Sequence, residues 1–386
     1  MLQDAFRGTR RYWILLGIWG VLILVGLAAY SRQLSEGLHI TGMSQDVTWG
    51  LYISQFTFLV GVAASAVMVV LPYYLHDYKA FGKMVILGEF LAVSAVIMCG
   101  LFIVVDMGQP VRVMNMILHP SPNSIMFWDF LVLMGYLVLN LVIGFLTFEA
   151  ERKGVPAPNW LKPLIYLSIP WAISIHTVTA FLYSGLEARP YWMTAILAPR
   201  FLASAFASGP SLLILLALIL RNFTRFDPGK KAIQKLATIV AYAMAINLFF
   251  VLVELFTSLY SDMPHHEHPF QYLFLGLHGH AALTPWMWVG AVLTVACVVL
   301  LLVPRVRGQE RFLAMLCAGV IVAIWIEKGL AMVVTGFIPA PLGQVTEYTP
   351  TLPETAITVG VYAVGFLTLT VLYKIVVSVR ERLAVT

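Results

Sequence analysis

Charge and cysteine are what this sequence has little of. Asp, Glu, Lys and Arg make up 11% of its 386 residues, against 60% hydrophobic. An ordinary soluble domain draws about a quarter of its residues from the charged set, so this composition excludes one. A helix buried in a soluble core would still need a polar outer face, and most of the apolar runs here are apolar all round. The three cysteines, Cys99, Cys297 and Cys317, lie inside such runs, with no C-x-x-C, no C-x-x-C-H and no four-cysteine set. That argues against an iron–sulfur cluster, a structural zinc or an attached c-type haem in this chain. The net charge of +5 does not point to nucleic acid, because the basic residues sit in short loops between apolar runs. No small-residue cleavage site follows the opening MLQDAFRGTRRYW, so the first run reads as a retained helix.

What the chain does have is ten stretches long enough to cross about 30 Å of hydrocarbon. They fall at roughly 13–31, 49–75, 83–106, 125–148, 163–184, 207–222, 235–260, 285–303, 311–335 and 356–377. The expected fold is an all-α integral membrane protein, a single polytopic domain over 1–386. Its surroundings are the lipid bilayer of the cytoplasmic membrane. Phe56 to Val70 and Phe201 to Leu215 both run from a phenylalanine into small residues, a faint internal repeat. It suggests two four-helix bundles, spans two to five (49–184) and six to nine (207–335), with a further helix flanking each end.

Lysine and arginine set the orientation. Nineteen of the 24, beginning with Arg7, Arg10 and Arg11 and ending with Lys374, Arg380 and Arg382, fall at one set of span ends. The opposite ends carry only Arg32, Arg112, Arg189 and Arg200, and Lys328 lies within a span. Both termini are therefore expected on the cytoplasmic side. The outer connections are long and rich in aromatics, proline and histidine, among them LEARPYWMTAILAPRFLASAF, DMPHHEHPFQYLFLGLHGH and IPAPLGQVTEYTPTLPE. Loops of that kind usually bind something, although tryptophan and tyrosine are also enriched at any headgroup zone.

Alternating direction gives each ionisable group a depth. His176 lies in the outer half of the run 165–185, close to Ser174, Thr177 and Thr179. Asp106, Tyr52, Gln55, Asp129 and Glu254 also fall toward the outer side, Glu327 and Lys328 just past mid-membrane, and Glu89 toward the cytoplasm. An ionisable group at membrane depth is a functional candidate by default. Each also has a plainer reading. Asp106 could cap a helix end or bind Arg112, His176 could be a satisfied core histidine, and Glu89 could be a protonated acid without a role. Glu327 and Lys328 could be helix-packing charges; about 100° apart on a helix, they need not pair with each other.

Histidine, aspartate, tyrosine and glutamine amid aromatics are what a quinone headgroup needs. Each carbonyl requires a donor, and each reduced hydroxyl requires a base when its electrons leave. Haem b held between helices would need two deep histidines, and only His176 is deep. His265, His266 and His268 form a loop cluster that could bind a metal, but no cysteine or paired acidic motif completes a site; contact with a partner is the preferred reading, and no metal site is assigned. The rival functions are a secondary transporter, a haem b quinol oxidase and a purely structural membrane anchor for a redox enzyme.

W-G-L-Y-I-S-Q-F-T-F-L-V-G-V-A-A-S-A at 49–66, D-M-G-Q-P-V-R at 106–112, S-I-M-F-W-D-F at 124–130 and F-L-A-S-A-F-A-S-G at 201–209 resemble the NrfD/PsrC family. These are membrane subunits of polysulfide-reductase-like quinone oxidoreductases. With ten spans the chain looks most like the DsrP branch, which serves the DsrMKJOP complex of dissimilatory sulfur metabolism. The resemblance implies a respiratory subunit without haem or cluster of its own. It would exchange electrons between menaquinone and a periplasmic, ferredoxin-like iron–sulfur subunit. A multihaem cytochrome c and a haem b membrane subunit would belong to the same complex. By position, Asp106 and His176 fall where the family places its quinone pocket, with Tyr52, Gln55 and Asp129 nearby. Glu89, Glu254, Glu327 and Lys328 are then candidates for a proton route.

Overall fold

A backbone polar group in hydrocarbon has no water to bond, so it must be satisfied within its own segment. The computed structural model, which describes residues 5–6 and 8–383, meets that demand with helices; Arg7, counted above among the basic ends, lies outside the described residues. Among the described residues, ten helices are long and apolar enough to span a membrane. They are α1 (Arg10–Glu36), α2 (Leu51–Leu75), α3 (Lys79–Asp106), α4 (Ile125–Lys153), α5 (Leu161–Ser184), α6 (Leu197–Phe223), α7 (Lys230–Tyr260), α8 (Thr284–Leu302), α9 (Glu310–Thr335) and α10 (Leu352–Leu383). Their ends obey local rules. The Thr9 side chain accepts from the Tyr12 amide at the start of α1. Gly154, with φ of 65°, closes α4 after Arg152 and Lys153.

Two closed rings account for the packing. In the first, α2 packs on α3, α3 on α4, α4 on α5, and α5 back on α2; in the second, α6, α7, α8 and α9 close in the same way. The rings meet where α2 lies against α6 and α9. Small residues permit that approach: a Cβ on Gly209 would lie 3.1 Å from Ser65, and one on Gly61 would lie 3.6 Å from Ala205. The two similar tracts in the sequence are thus the surfaces that touch. α1 and α10 pack against each other, with a Cβ on Gly26 falling 2.6 Å from Gly360, and α10 rests on α3. The central helices α2, α3, α6 and α9 are the most buried, while α1 is almost wholly exposed.

Alternation of the helices gathers the connections 37–50, 107–124, 185–196, 261–283 and 336–351 on one face, called the loop face below. The short basic connections lie on the other. Two elements depart from regular α geometry. α2 passes through a 3₁₀ turn at Ala64–Ala66, and α9 opens into a π-helical stretch at Trp325–Ala331.

Two expectations need correcting. The sixth helix begins at Leu197, not near 207, so Arg200 lies inside a helix instead of in an outer connection. Pro210 does not end the helix. It sits in the interior of α6, as Pro170 does in α5, and neighbouring helices offset the lost backbone bond. His265, His266 and His268 are not in a loop either: they lie on a surface helix, Pro264–Phe274. Proline at its first position and Glu267 in its first turn favour that start.

Candidate functional site

The loop-face end of the first ring collects the start of α2, the end of α3, the start of α4 and the last turns of α5. His176 is fully buried there, and neither ring nitrogen has a hydrogen-bond partner. It is therefore not a satisfied core histidine. One turn further along the same face of α5, the Thr179 hydroxyl donates to Asp129 Oδ1 at 2.6 Å, which ties α5 to the buried carboxyl of α4. Asp106 is the last residue of α3, where the helix dipole disfavours negative charge. Its Oδ1 is buried without a partner, so Arg112 does not neutralise it.

Tyr52 and Gln55 turn the other way. The Tyr52 hydroxyl donates to Gln33 Oε1 of α1 at 2.7 Å, and Gln33 Nε2 donates to the Val105 carbonyl at 2.6 Å, one residue before Asp106. Gln55 Oε1 accepts from Trp325 Nε1 at 2.8 Å and from the Tyr362 hydroxyl at 2.6 Å. Those two donors also line an apolar cavity of about 220 Å³ between α2, α3, α6, α9 and α10. Gln55 thus faces the second ring and α10. Thr57 of α2 and Tyr183 of α5 are joined by a short hydroxyl contact.

The start of α2 is held from the far end of the chain. Buried Glu354 accepts from the amides of Gly42 at 3.0 Å and Leu51 at 3.2 Å, and from the Tyr348 hydroxyl. A carboxylate at a helix N-terminus meets both the orphan amides and the dipole. Burial, and then Glu354 beside it, push the Tyr348 phenol well above its ordinary range.

The second ring holds a buried charge cluster. Arg200 pairs with Glu254 and with Glu327, the latter through two hydrogen bonds to Oε1 at 3.1 and 2.9 Å. Asn247 Nδ2 donates to Glu327 Oε2 at 3.0 Å. Lys328 points elsewhere, with Nζ 3.4 Å from the Phe201 carbonyl and 4.1 Å from the centre of its ring. A cavity of about 120 Å³ on the loop face reaches Glu254 past Thr257, Ser258, Ser261 and His266. On the other half of the membrane Glu89 is buried in the first ring, both oxygens unpartnered, with Oε2 only 3.0 Å from where a Cβ on Gly144 would lie.

A family model described as polysulphide reductase, NrfD, matches residues 39–341. The chain belongs to the NrfD family. A protein of Halobacterium salinarum, named as a membrane subunit of dimethyl sulfoxide reductase, is 27% identical to it, over 94% of this chain and 90% of the relative. A selenate reductase subunit of Mesobacillus selenatarsenatis is 23% identical over 92% of each. The Hdr-like menaquinol oxidoreductase integral membrane subunit of Archaeoglobus fulgidus is 23% identical, over 94% of this chain and 93% of the relative. Membership makes this an integral membrane subunit of the kind that serves oxidoreductase complexes.

Within this NrfD-family chain, sequence reasoning missed Arg200 and Asn247. An arginine near the expected end of a run looks like a topology signal, and its carboxylate partners are 54 and 127 residues away. The available signal was the continuous apolar character of LAPRFLASAF, which places Arg200 one turn inside a membrane helix.

Proposed function

We propose that this protein is the quinone-reactive subunit of a respiratory complex, passing electrons between menaquinol and a partner on the loop face. His176 carries the reading. A buried donor or acceptor without a partner costs about 1–3 kcal/mol, and this ring has two such nitrogens at membrane depth. A quinol hydroxyl or quinone carbonyl would satisfy them, and Asp106 offers a second open acceptor near the same end. In this reading His176 takes the headgroup proton as electrons leave and Asp106 orients the headgroup or relays the proton. Asp129 bears on the site through Thr179, whereas Tyr52 and Gln55, expected among the headgroup ligands, are held by α1 and by α9 and α10 and do not face His176. Two electrons and two protons leave each quinol, the electrons toward the partner's metal centre.

The finer assignment rests on the family resemblance and on the charge asymmetry. The loop face would be periplasmic and both termini cytoplasmic. The partner would be a ferredoxin-like iron–sulfur protein, with a multihaem cytochrome c and a haem b subunit in the same assembly, of the kind that works in sulfur metabolism. One relative is named as a menaquinol oxidoreductase subunit, which favours menaquinone as the carrier. Glu254, Glu327, Lys328 and Glu89 are proposed for proton movement, and the cavity that brings the loop face to Glu254 supports that part.

Replacing His176 with alanine tests the proposal in the assembled complex. Quinol-dependent reduction of the partner should fall about a hundredfold or more, as expected for a lost acid–base group, while the complex still assembles. Unchanged turnover would remove His176 from the mechanism.

A further inference from the structure

Between α7, α8 and the surface helix Pro264–Phe274 runs a groove of about 400 Å³, within the ordinary range for a ligand site. Leu252, Leu255, Phe274, Trp288 and Val295 line it, and Leu252, Trp288 and Val295 are exposed on the lipid-facing surface of the ring. One charged side chain reaches it: Glu327, 4% exposed. Glu327 precedes the end of α9 by about eight residues, which puts it roughly 12 Å below that end at the rise of a helix. That is deeper than phospholipid headgroups sit, so an occupant reaching this floor must be soluble in hydrocarbon.

Glu327 itself has an acceptor position left over. Arg200 fills Glu327 Oε1 with two hydrogen bonds, but Oε2 receives only the one from Asn247. A carboxylate offers about four acceptor sites, so Oε2 keeps one open. Next to it, fully buried Asn247 has its Oδ1 without a partner. An acyl chain has no hydrogen to donate to either acceptor. A hydroxyl-bearing aromatic head on an isoprenoid tail does, and its tail suits the apolar walls. We infer that this groove is a second binding site for a lipid-soluble hydroquinone, with a hydroxyl donating to Glu327. The inference rests on the protein being quinone-reactive, but the groove belongs to the second ring and His176 to the first, so the two sites can fail separately.

The test is photolabelling of the complex in phospholipid nanodiscs with a photoreactive isoprenyl hydroquinone, followed by mapping of the modified peptides. Label is expected on 248–259 and 287–295 in the parent and in His176→Ala. It should fall at least tenfold in Val295→Trp and in Leu252→Trp, two exposed positions where a larger ring fills the groove without disturbing the core. Unlabelled hydroquinone should displace it, whereas the hydroquinone dimethyl ether, which has no hydrogen to donate, should not. Label confined to α2–α5 would overturn the second site and leave the first standing; label in neither ring would overturn both. Equal displacement by the ether would show that the groove takes any apolar chain, and would also overturn the inference.

Discussion

Arg200 bridges two buried carboxylates, and it supports the second ring for that reason. Glu254 and Glu327 are each less than a tenth exposed, and without the guanidinium they would face each other as like charges in a medium that screens little. Removing one partner of a buried ion pair costs about 3–5 kcal/mol. Arg200→Met should therefore lower the melting temperature of the detergent-solubilised protein sharply, and adding Glu254→Gln with Glu327→Gln should restore much of the loss. A parent-like melt of Arg200→Met alone would mean that water already screens the cluster. The same residues mark how far a sequence discloses such a site. Glu254, Glu327, Asp106, Asp129 and His176 stood out at once, because an ionisable group inside an apolar run is conspicuous wherever it points. Which of them meet did not. Asp129 joins Thr179 across 50 residues, and Gln55 joins Trp325 across 270. Those pairings depend on helix rotation, and an all-round apolar helix carries no periodicity from which to read its rotation.

Helices in lipid gain nothing from hiding apolar surface from one another, so close packing decides how they associate. The crossing of α2 with α6 is the clearest case. Gly209 sits 3.1 Å, measured from where its Cβ would be, from both the Ser65 backbone and its side chain. The 3₁₀ turn of α2 at Ala64–Ala66 lies at this contact. Gly209→Leu should force the rings apart, at a cost of about 1–3 kcal/mol for overpacking. Gly17→Ala in α1, where a Cβ would meet no atom of another helix within 4 Å, should leave the melt unchanged. Equal melts for the two variants would show that the rings are not held by this contact. The ten helices were legible from length and hydropathy alone. The break in α2 and the π stretch of α9 were not; both lie where helices of the two rings pack on each other, and a sequence read one helix at a time does not show that contact. The π stretch accommodates Trp325, Glu327 and Lys328, which serve Gln55, Arg200 and Phe201 respectively.

For the molecule as a whole, the two faces differ in kind, and function depends on which faces the cytoplasm. The loop face carries the α2 anchor at Glu354, the cavity leading to Glu254, and the ends of α3 and α5 with Asp106 and His176; a partner taking electrons from the first ring would dock here. The basic face carries ion pairs such as Arg221–Glu310 and Arg380–Glu151 at the helix ends. Positive charge is retained on the cytoplasmic side during insertion, and the orientation proposed above, with the loop face outside, rests on that rule. The chain is well suited to a direct test, because its three natural cysteines are all buried and add little background. Leu342, 90% exposed on the loop face, and Val155, 51% exposed on the basic face, supply one reporter each. In intact cells Leu342→Cys should react with a membrane-impermeant maleimide and Val155→Cys should not, while both react after the membrane is opened. The reverse pattern would turn the protein over. It would move the site at the head of the first ring to the cytoplasm, and with it the compartment in which the proposed electron-transfer partner is to be sought.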